Sequence, residues 1–231
     1  HHGDDQRTQR QGDNAEQGSQ HHASGGKVLI VAELHRKYRG DGGSRAAFQQ
    51  RDHLCSSAVE AQHPEQCQRS RNKDAAKAAQ EGQPLIQKLF EAASKAESVH
   101  AANHNKVLEK LGATMEPIDI QIHVGTTAEN LKAAIAGETH EFESMYPEFI
   151  AVAEEEGQKA AVRSFTWATE AEKEHAEFYA AALQALENGD TSALPGQYWI
   201  CLVCGDTFKS LEGVDACPLC GTKAEKFLVI G

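Results

Sequence analysis

The chain has 231 residues, enough for one large or two modest domains with a proper buried core. Its 23 Lys and Arg against 34 Asp and Glu give a net charge of −11, which argues against nucleic acid or an anionic membrane as the main partner. Aromatic residues make up only 6%, Ala is prominent, and no run of about 18 apolar residues exists; this favours helices over a β-sandwich and excludes a membrane span.

The charge is uneven along the chain. Residues 1–80 carry 12 basic and 10 acidic side chains, whereas residues 81–231 carry 11 and 24. Residues 1–26 are mostly Gln, Gly, Asp, Ser and His, including the pairs His1-His2 and His21-His22, and read as a solvated tail. No apolar secretory segment opens the sequence, and its first residue is His1 rather than Met, so the true start is expected upstream. Lys27 to Tyr38 holds one apolar run (Val28, Leu29, Ile30, Val31), suited to a strand or a helix turn. From there to about residue 80 no clean period is found, and residues 1–45 are expected to be disordered or unrelated to the rest.

From residue 81 the pattern becomes regular. Ile86, Phe90, Ala93, Glu97, His100, His104, Val107 and Leu111 step by four and three, so they share one helix face. Ala161, Phe165, Ala168, Glu172, His175, Tyr179, Ala182 and Leu186 repeat that register 75 residues later. A third seam runs Leu131, Ile135, Glu138, Phe142, Met145, Phe149, Val152. The spacing predicts three long helices, each apolar along one stripe and each interrupted near its middle by acid or imidazole.

An ionised carboxylate on a core face loses several kcal/mol of hydration unless something pairs with it. Here Glu97, His100, Glu138, Glu172 and His175 all fall on core stripes, and Glu141 lies one turn beyond Glu138. The two E-x-x-H pairs, Glu97/His100 and Glu172/His175, each put an oxygen and a nitrogen ligand on one face. Two copies in one register, with an E-x-x-E on a third helix, predict a cation inside a bundle. Four carboxylates neutralise two divalent ions when the imidazoles are neutral, and mixed oxygen and imidazole donors suit iron or manganese better than a closed zinc site. Di-iron carboxylate bundles take a Glu from each of two helices and Glu-x-x-His from each of the others, so a fourth helix before residue 81 is expected to supply one more Glu.

At the C-terminal end, Cys201-Leu202-Val203-Cys204-Gly205 is followed by Cys217-Pro218-Leu219-Cys220-Gly221. Two C-x-x-C-G knuckles predict a tetrahedral thiolate site for zinc or a single iron. The glycine after each second cysteine frees backbone N–H groups to turn toward sulfur. Tyr198, Trp199, Phe208 and Phe227 can form a miniature core too small to stand without the metal. Cys55 and Cys67 have no readable partner.

From about residue 81 onward the chain resembles the rubrerythrins. The residues that carry the resemblance are Ala96-Glu97-Ser98-Val99-His100, Thr127-Ala128-Glu129-Asn130-Leu131-Lys132, Gly137-Glu138-Thr139-His140-Glu141-Phe142, Met145-Tyr146-Pro147-Glu148-Phe149, Glu170-Ala171-Glu172-Lys173-Glu174-His175 and both cysteine knuckles. The resemblance implies an all-α, ferritin-like four-helix bundle over residues 46–190 and a small rubredoxin-like β/loop metal domain over 196–231. It implies two non-haem iron ions at Glu97, His100, Glu138, Glu141, Glu172 and His175, and one iron at Cys201, Cys204, Cys217 and Cys220. Tyr146 resembles the family's tyrosine that hydrogen-bonds a ligating carboxylate.

The first helix departs from the family pattern. The nearest match to its Gly-Glu-Ser-Gln-like motif is Ala58-Val59-Glu60-Ala61-Gln62, and no Tyr follows at the family spacing. Projecting the repeat back gives a polar seam, Ser56, Glu60, His63, Cys67, Ser70, Asp74, with Pro64 where the helix should continue. Either the helix is rebuilt by Asp74 to Gln87, or residues 1–80 contain a misread or shifted frame. Glu60 is the expected seventh ligand of the bundle, with Glu65 as runner-up.

The resemblance implies a cytoplasmic peroxidase that reduces hydrogen peroxide to water. Electrons would come from reduced rubredoxin or an NAD(P)H-linked reductase and pass through the thiolate iron. A linker from Asn188 to Gly196 would let the small domain dock on a bundle in a head-to-tail homodimer. The competing function is a ferritin-like iron-binding or storage protein with a structural zinc ribbon.

Overall fold

The structure, a computed structural model, describes residues 64–113 and 123–231, with side chains from Ser70 onward. Glu60, the 1–45 segment and Cys55 lie outside the described residues, and the side chains of Glu65 and Cys67 lie ahead of the first one described. Among the described residues there are five α-helices: α1 (Pro64–Gln80), α2 (Pro84–Leu111), α3 (Thr127–His140), α4 (Tyr146–Glu155) and α5 (Lys159–Glu187). A π-helical turn, Glu141–Met145, joins α3 to α4, so those two form one long helix. The C-terminal part holds three short strands, β1 (Tyr198–Ile200), β2 (Thr207–Phe208) and β3 (Leu228–Ile230), with a 3-10 turn at Ala224–Lys226. No described helix is long and apolar enough to cross a membrane.

Local chemistry sets the helix ends. Pro84 stands in the first turn of α2, where its missing N–H costs nothing. Gly112 closes the same helix in the left-handed region, φ 66°, and its N–H satisfies the carbonyls of Leu108 and Glu109. At α3 a capping box forms: the Thr126 side chain accepts from Glu129 N–H while Glu129 accepts from Thr126 N–H. Short turns at residues 81–83 and 156–158 make antiparallel hairpins of α1 with α2 and of α4 with α5.

The stripes of α2 and α5 bury as their spacing predicts, Ile86 through His104 on one and Ala161 through Ala182 on the other. The third seam does not hold to the end. In the π turn, Tyr146 N–H bonds to Glu141 C=O, five residues back, which adds one residue to the turn. Glu138 and Glu141, one turn apart, both face inward ahead of it; beyond it Phe142 and Val152 are only half-buried, and Tyr146 and Ala153 take core positions. The first helix also differs from its projection. Ser70 and Asp74 are half-buried, and the buried stripe one residue on is Arg71, Ala75, Ala78. Nor is there a helix rebuilt across Asp74 to Gln87, because the chain turns at residues 81–83.

Two apolar clusters bracket the polar middle of the bundle. One gathers Ala75, Ile86, Phe90, Leu131 and Tyr179 with Tyr198 and Ile200 of β1, so the small domain shares a core with the helices. The other holds Leu108, Met145, Tyr146, Phe149 and Phe165. The sheet is antiparallel in the order β2-β1-β3, pairing Trp199 with Phe208 and with Val229. The segment between α5 and β1 is mostly exposed but not loose: Thr191 Oγ1 donates to Gln83 Oε1, and Lys88 Nζ donates to the Gly196 carbonyl.

Glu81, in the α1–α2 turn, accepts from the Thr127 backbone N–H at 2.9 Å and pairs with Lys77 at 3.0 Å, tying the first hairpin to the N-terminus of α3. Those bonds hold its carboxyl down at about 2. A depressed folded-state value contributes stability above the unfolded carboxyl value, lost as pH falls through the folded one. Glu81→Gln should cost about 0.5–1 kcal/mol at pH 7, the scale of a helix-terminus bond. In denaturant titrations that difference should shrink between about pH 4.5 and pH 2.

Candidate metal centre and thiolate knuckles

Three helical segments bring their polar interruptions to one place. Glu97 and His100 come from α2, Glu138 and Glu141 from the end of α3 and the start of the π turn, and Glu172 and His175 from α5. All six are buried, none more than 3% exposed. Donor atoms of Glu97, Glu138, Glu172 and His175 lie within 4.8 Å of one another. His100 borders that group, its Nδ1 3.1 Å from Glu172 Oε1 and 3.3 Å from Glu97 Oε2. His175 Nδ1 lies 2.9 Å from Glu172 Oε2. Glu141 faces the same carboxylates across the π turn.

The electrostatics are those of acids packed against acids. Burial, followed for Glu141 by repulsion from Glu138, Glu172 and Glu97, pushes the Glu138 and Glu141 carboxyls far above the usual range; Arg71 opposes this only in part. Glu172 goes the other way: burial and Glu97 raise it, but His100 and His175 outweigh them. Burial disfavours a charged His100, yet Glu172 and Glu97 more than offset it and lift the ring to about 10.

Sequence reasoning missed Arg71. It takes the inward position on α1, its side chain only 10% exposed. Nη2 donates to Glu97 Oε1 at 2.7 Å, and Nη1 to Glu138 Oε1 and to Tyr179 Oη, both at 3.1 Å. The readable signal was the i, i+4, i+7 spacing of Arg71, Ala75 and Ala78, hidden because the repeat was projected one residue out of phase. Beside it a small opening between α1 and α3 is lined by Arg71, Asp74, Asn130, Gly137, Glu138 and Glu141. Asp74 at its rim is raised to about 7 by burial, with Arg71 pulling it back.

Tyr146 is buried with its hydroxyl 3.3 Å from His104 Nε2, and His104 Nδ1 lies 2.8 Å from Ser164 Oγ. Burial and the neighbouring His100 hold His104 down at about 3, so its ring is neutral and both donates and accepts.

The residues fit a metal pair. Glu138 Oε2 and Glu141 Oε2 are buried ligand atoms with no hydrogen-bond partner, an arrangement that costs free energy unless cations use them. The four cysteines are equally suited to one ion. Their sulfurs lie within 4.8 Å of one another, with Cys201–Cys220 at 3.5 Å and Cys204–Cys217 at 3.4 Å. A tetrahedron with bonds of about 2.3 Å needs about 3.8 Å, a small expansion.

The two centres meet. Thr207 Oγ1, just past the first knuckle, is 3.0 Å from His175 Nε2. Gly205, at φ 88°, lies so close to His100 that a Cβ there would collide with the imidazole. Asn103 Nδ2 donates to the Val203 carbonyl at 2.8 Å, and Trp167 of α5 packs against the cysteine cluster.

Comparison with known proteins agrees with this geometry. The sequence model of the rubrerythrin family matches residues 60–183, and that of the rubrerythrin rubredoxin-like domain matches 199–228. Rubrerythrin-2 of Clostridium acetobutylicum is 38% identical over 151 residues, covering 62% of this chain and 78% of its own. Nigerythrin of Nitratidesulfovibrio vulgaris is 34% identical over 154 residues, 66% and 74% of the two chains. A solved structure of nigerythrin in a mixed-valence state superposes with a TM-score of 0.63 at 29% identity, over 75% of this chain and 83% of that one. Another, fully reduced and all-ferrous, gives the same score over 74% and 82%. The family pairs a di-iron site in a ferritin-like bundle with a rubredoxin-like Fe(Cys)4 site, and this chain, an oxidoreductase by that kinship, belongs to the rubrerythrin family.

Proposed function

We propose that the chain is a peroxidase that reduces hydrogen peroxide to water at the bundle, with electrons relayed through the four-cysteine iron. The observation that carries this is the seating of the Cys204-Gly205-Asp206-Thr207 knuckle on His100 and His175. A storage bundle with a separate structural ribbon has no need of that contact. The bundle ligands are Glu97, His100, Glu138, Glu141, Glu172 and His175. Cys201, Cys204, Cys217 and Cys220 hold the single iron. Glu60 remains the proposed first-helix ligand from the sequence.

When bound, a ferrous pair supplies the two electrons that O–O cleavage requires. The protein's part is positional. Thr207 Oγ1 at His175 Nε2 fixes the ring so that Nδ1 faces Glu172, the orienting contact a ligating histidine needs on its other nitrogen. Glu138 and Glu141 hold protons that cation binding must release. The opening lined by Asp74 and Gly137 admits a molecule the size of peroxide to Glu138 and Glu141. The row Tyr146–His104–Ser164, one turn of α2 beyond His100, is a source of hydroxyl protons for the reduced oxygen.

We infer a cytoplasmic, head-to-tail homodimer supplied by reduced rubredoxin or an NAD(P)H-linked reductase. The segment after α5 is mostly exposed, and swapping the small domain across it would re-form the same contacts, its tethers to Gln83 and Lys88 included, between chains.

Glu172→Ala should lower bundle metal to roughly half and leave the thiolate absorption intact, since Glu172 touches both ligand histidines. Unchanged metal content would overturn the ligand assignment. Cys204→Ser should abolish donor-linked turnover while chemically reduced bundle iron still consumes peroxide. Co-refolding it with Glu172→Ala should restore part of that turnover if the docking is between chains. Gly205→Ala, which must push the knuckle off His100, should cut donor-linked turnover by at least about tenfold with the thiolate absorption unchanged. Donor-linked turnover persisting in Cys204→Ser would rule out the relay.

A further inference from the structure

Arg71 occupies the α1 side of the cluster. The other described helices bring acids, imidazoles and a phenol to this centre: Glu97 and His100 from α2, Glu138 and Glu141 from the third helix, Glu172, His175 and Tyr179 from α5. The small domain adds Thr207. Among the described residues in contact with the cluster, Arg71 carries the one charge that no proton exchange can remove.

Its two nitrogens divide the site. They engage Glu97 Oε1 and Glu138 Oε1, so those oxygens are already donated to, while the nitrogens beside Glu172 are those of His100 and His175. Arg71 and a metal ion compete for the same two oxygens, Glu97 Oε1 and Glu138 Oε1. An ion entering on the Glu172–His175–His100 side leaves those two bonds in place. A second, drawing on Glu97 and Glu138, has to displace Arg71, for which Asp74 one turn along α1 offers a new partner at the rim of the opening.

We propose that Arg71 is a positioning residue that sets the order of metal loading: it occupies Glu97 and Glu138 through its two hydrogen bonds until a second cation takes them, so the two bundle ions bind with unequal affinity. This rests on the ligand assignment proposed above. Because the guanidinium also ties α1 to α2 and to the third helix, it stabilises the bundle before metal arrives.

The test is an anaerobic titration of the metal-stripped full-length chain with ferrous iron, the thiolate ion being counted separately from its own absorption. In the natural chain the second bundle ion should bind at least about tenfold more weakly than the first, the effect of one uncompensated charge at close range. Arg71→Gln and Arg71→Met, both uncharged, should each narrow that gap at least about fivefold and lower the melting temperature of the metal-free chain. Arg71→Lys, which keeps the charge, should retain the gap. Equal affinities in the natural chain, or an unchanged gap in the uncharged variants, would overturn the role of Arg71 while leaving the ligand assignment standing. Both bundle ions surviving Glu172→Ala would instead overturn the assignment, and the proposal with it.

Discussion

Four carboxylates that have lost their water are held against one another in the middle of a helical bundle, and the rest of the structure is arranged around that cost. In a dry interior, like charges a few ångströms apart repel far more strongly than at a surface. The protein answers with three kinds of compensation: the fixed charge of Arg71, imidazole protons, and protons kept on Glu138 and Glu141 by burial. Divalent cations supply the charge that all three stand in for, which is why a centre so unfavourable for the protein alone is so well suited to metal.

Such a centre persists only if the surrounding packing over-determines it. The apolar clusters above and below the acids stabilise the helices enough to carry the strain between them. The π turn has the same logic. It widens the helix just beyond Glu141, so that Phe142 leaves the core while Tyr146 and Phe149 enter it on the same inward side as Glu138 and Glu141.

The cysteine domain is part of this enclosure as well as a second centre. Its strand β1 completes a core begun by α1 and α2, and its first knuckle covers the two histidines. Gly205 is what permits the approach, since any side chain there would meet His100 and its backbone conformation suits glycine alone. Proximity of the two centres and exclusion of water from the bundle are thus one contact.

The sequence by itself determined the long helices, their inward stripes, five buried polar positions with Glu141 a turn beyond, and the four-cysteine site. These follow from period and spacing, which are local properties of the chain. The resemblance to rubrerythrins was legible for the same reason, being carried by motifs within single helices. Only tertiary structure decided what faces those motifs. Arg71 enters the site because α1 packs with Ala75 and Ala78 inward, a phase no repeat projected through a polar segment could supply. Tyr146 meets His104, and Thr207 meets His175, across separations of 42 and 32 residues that carry no period at all. A pattern along the chain reports which face of an element is buried; which partner that face meets is set by packing between elements.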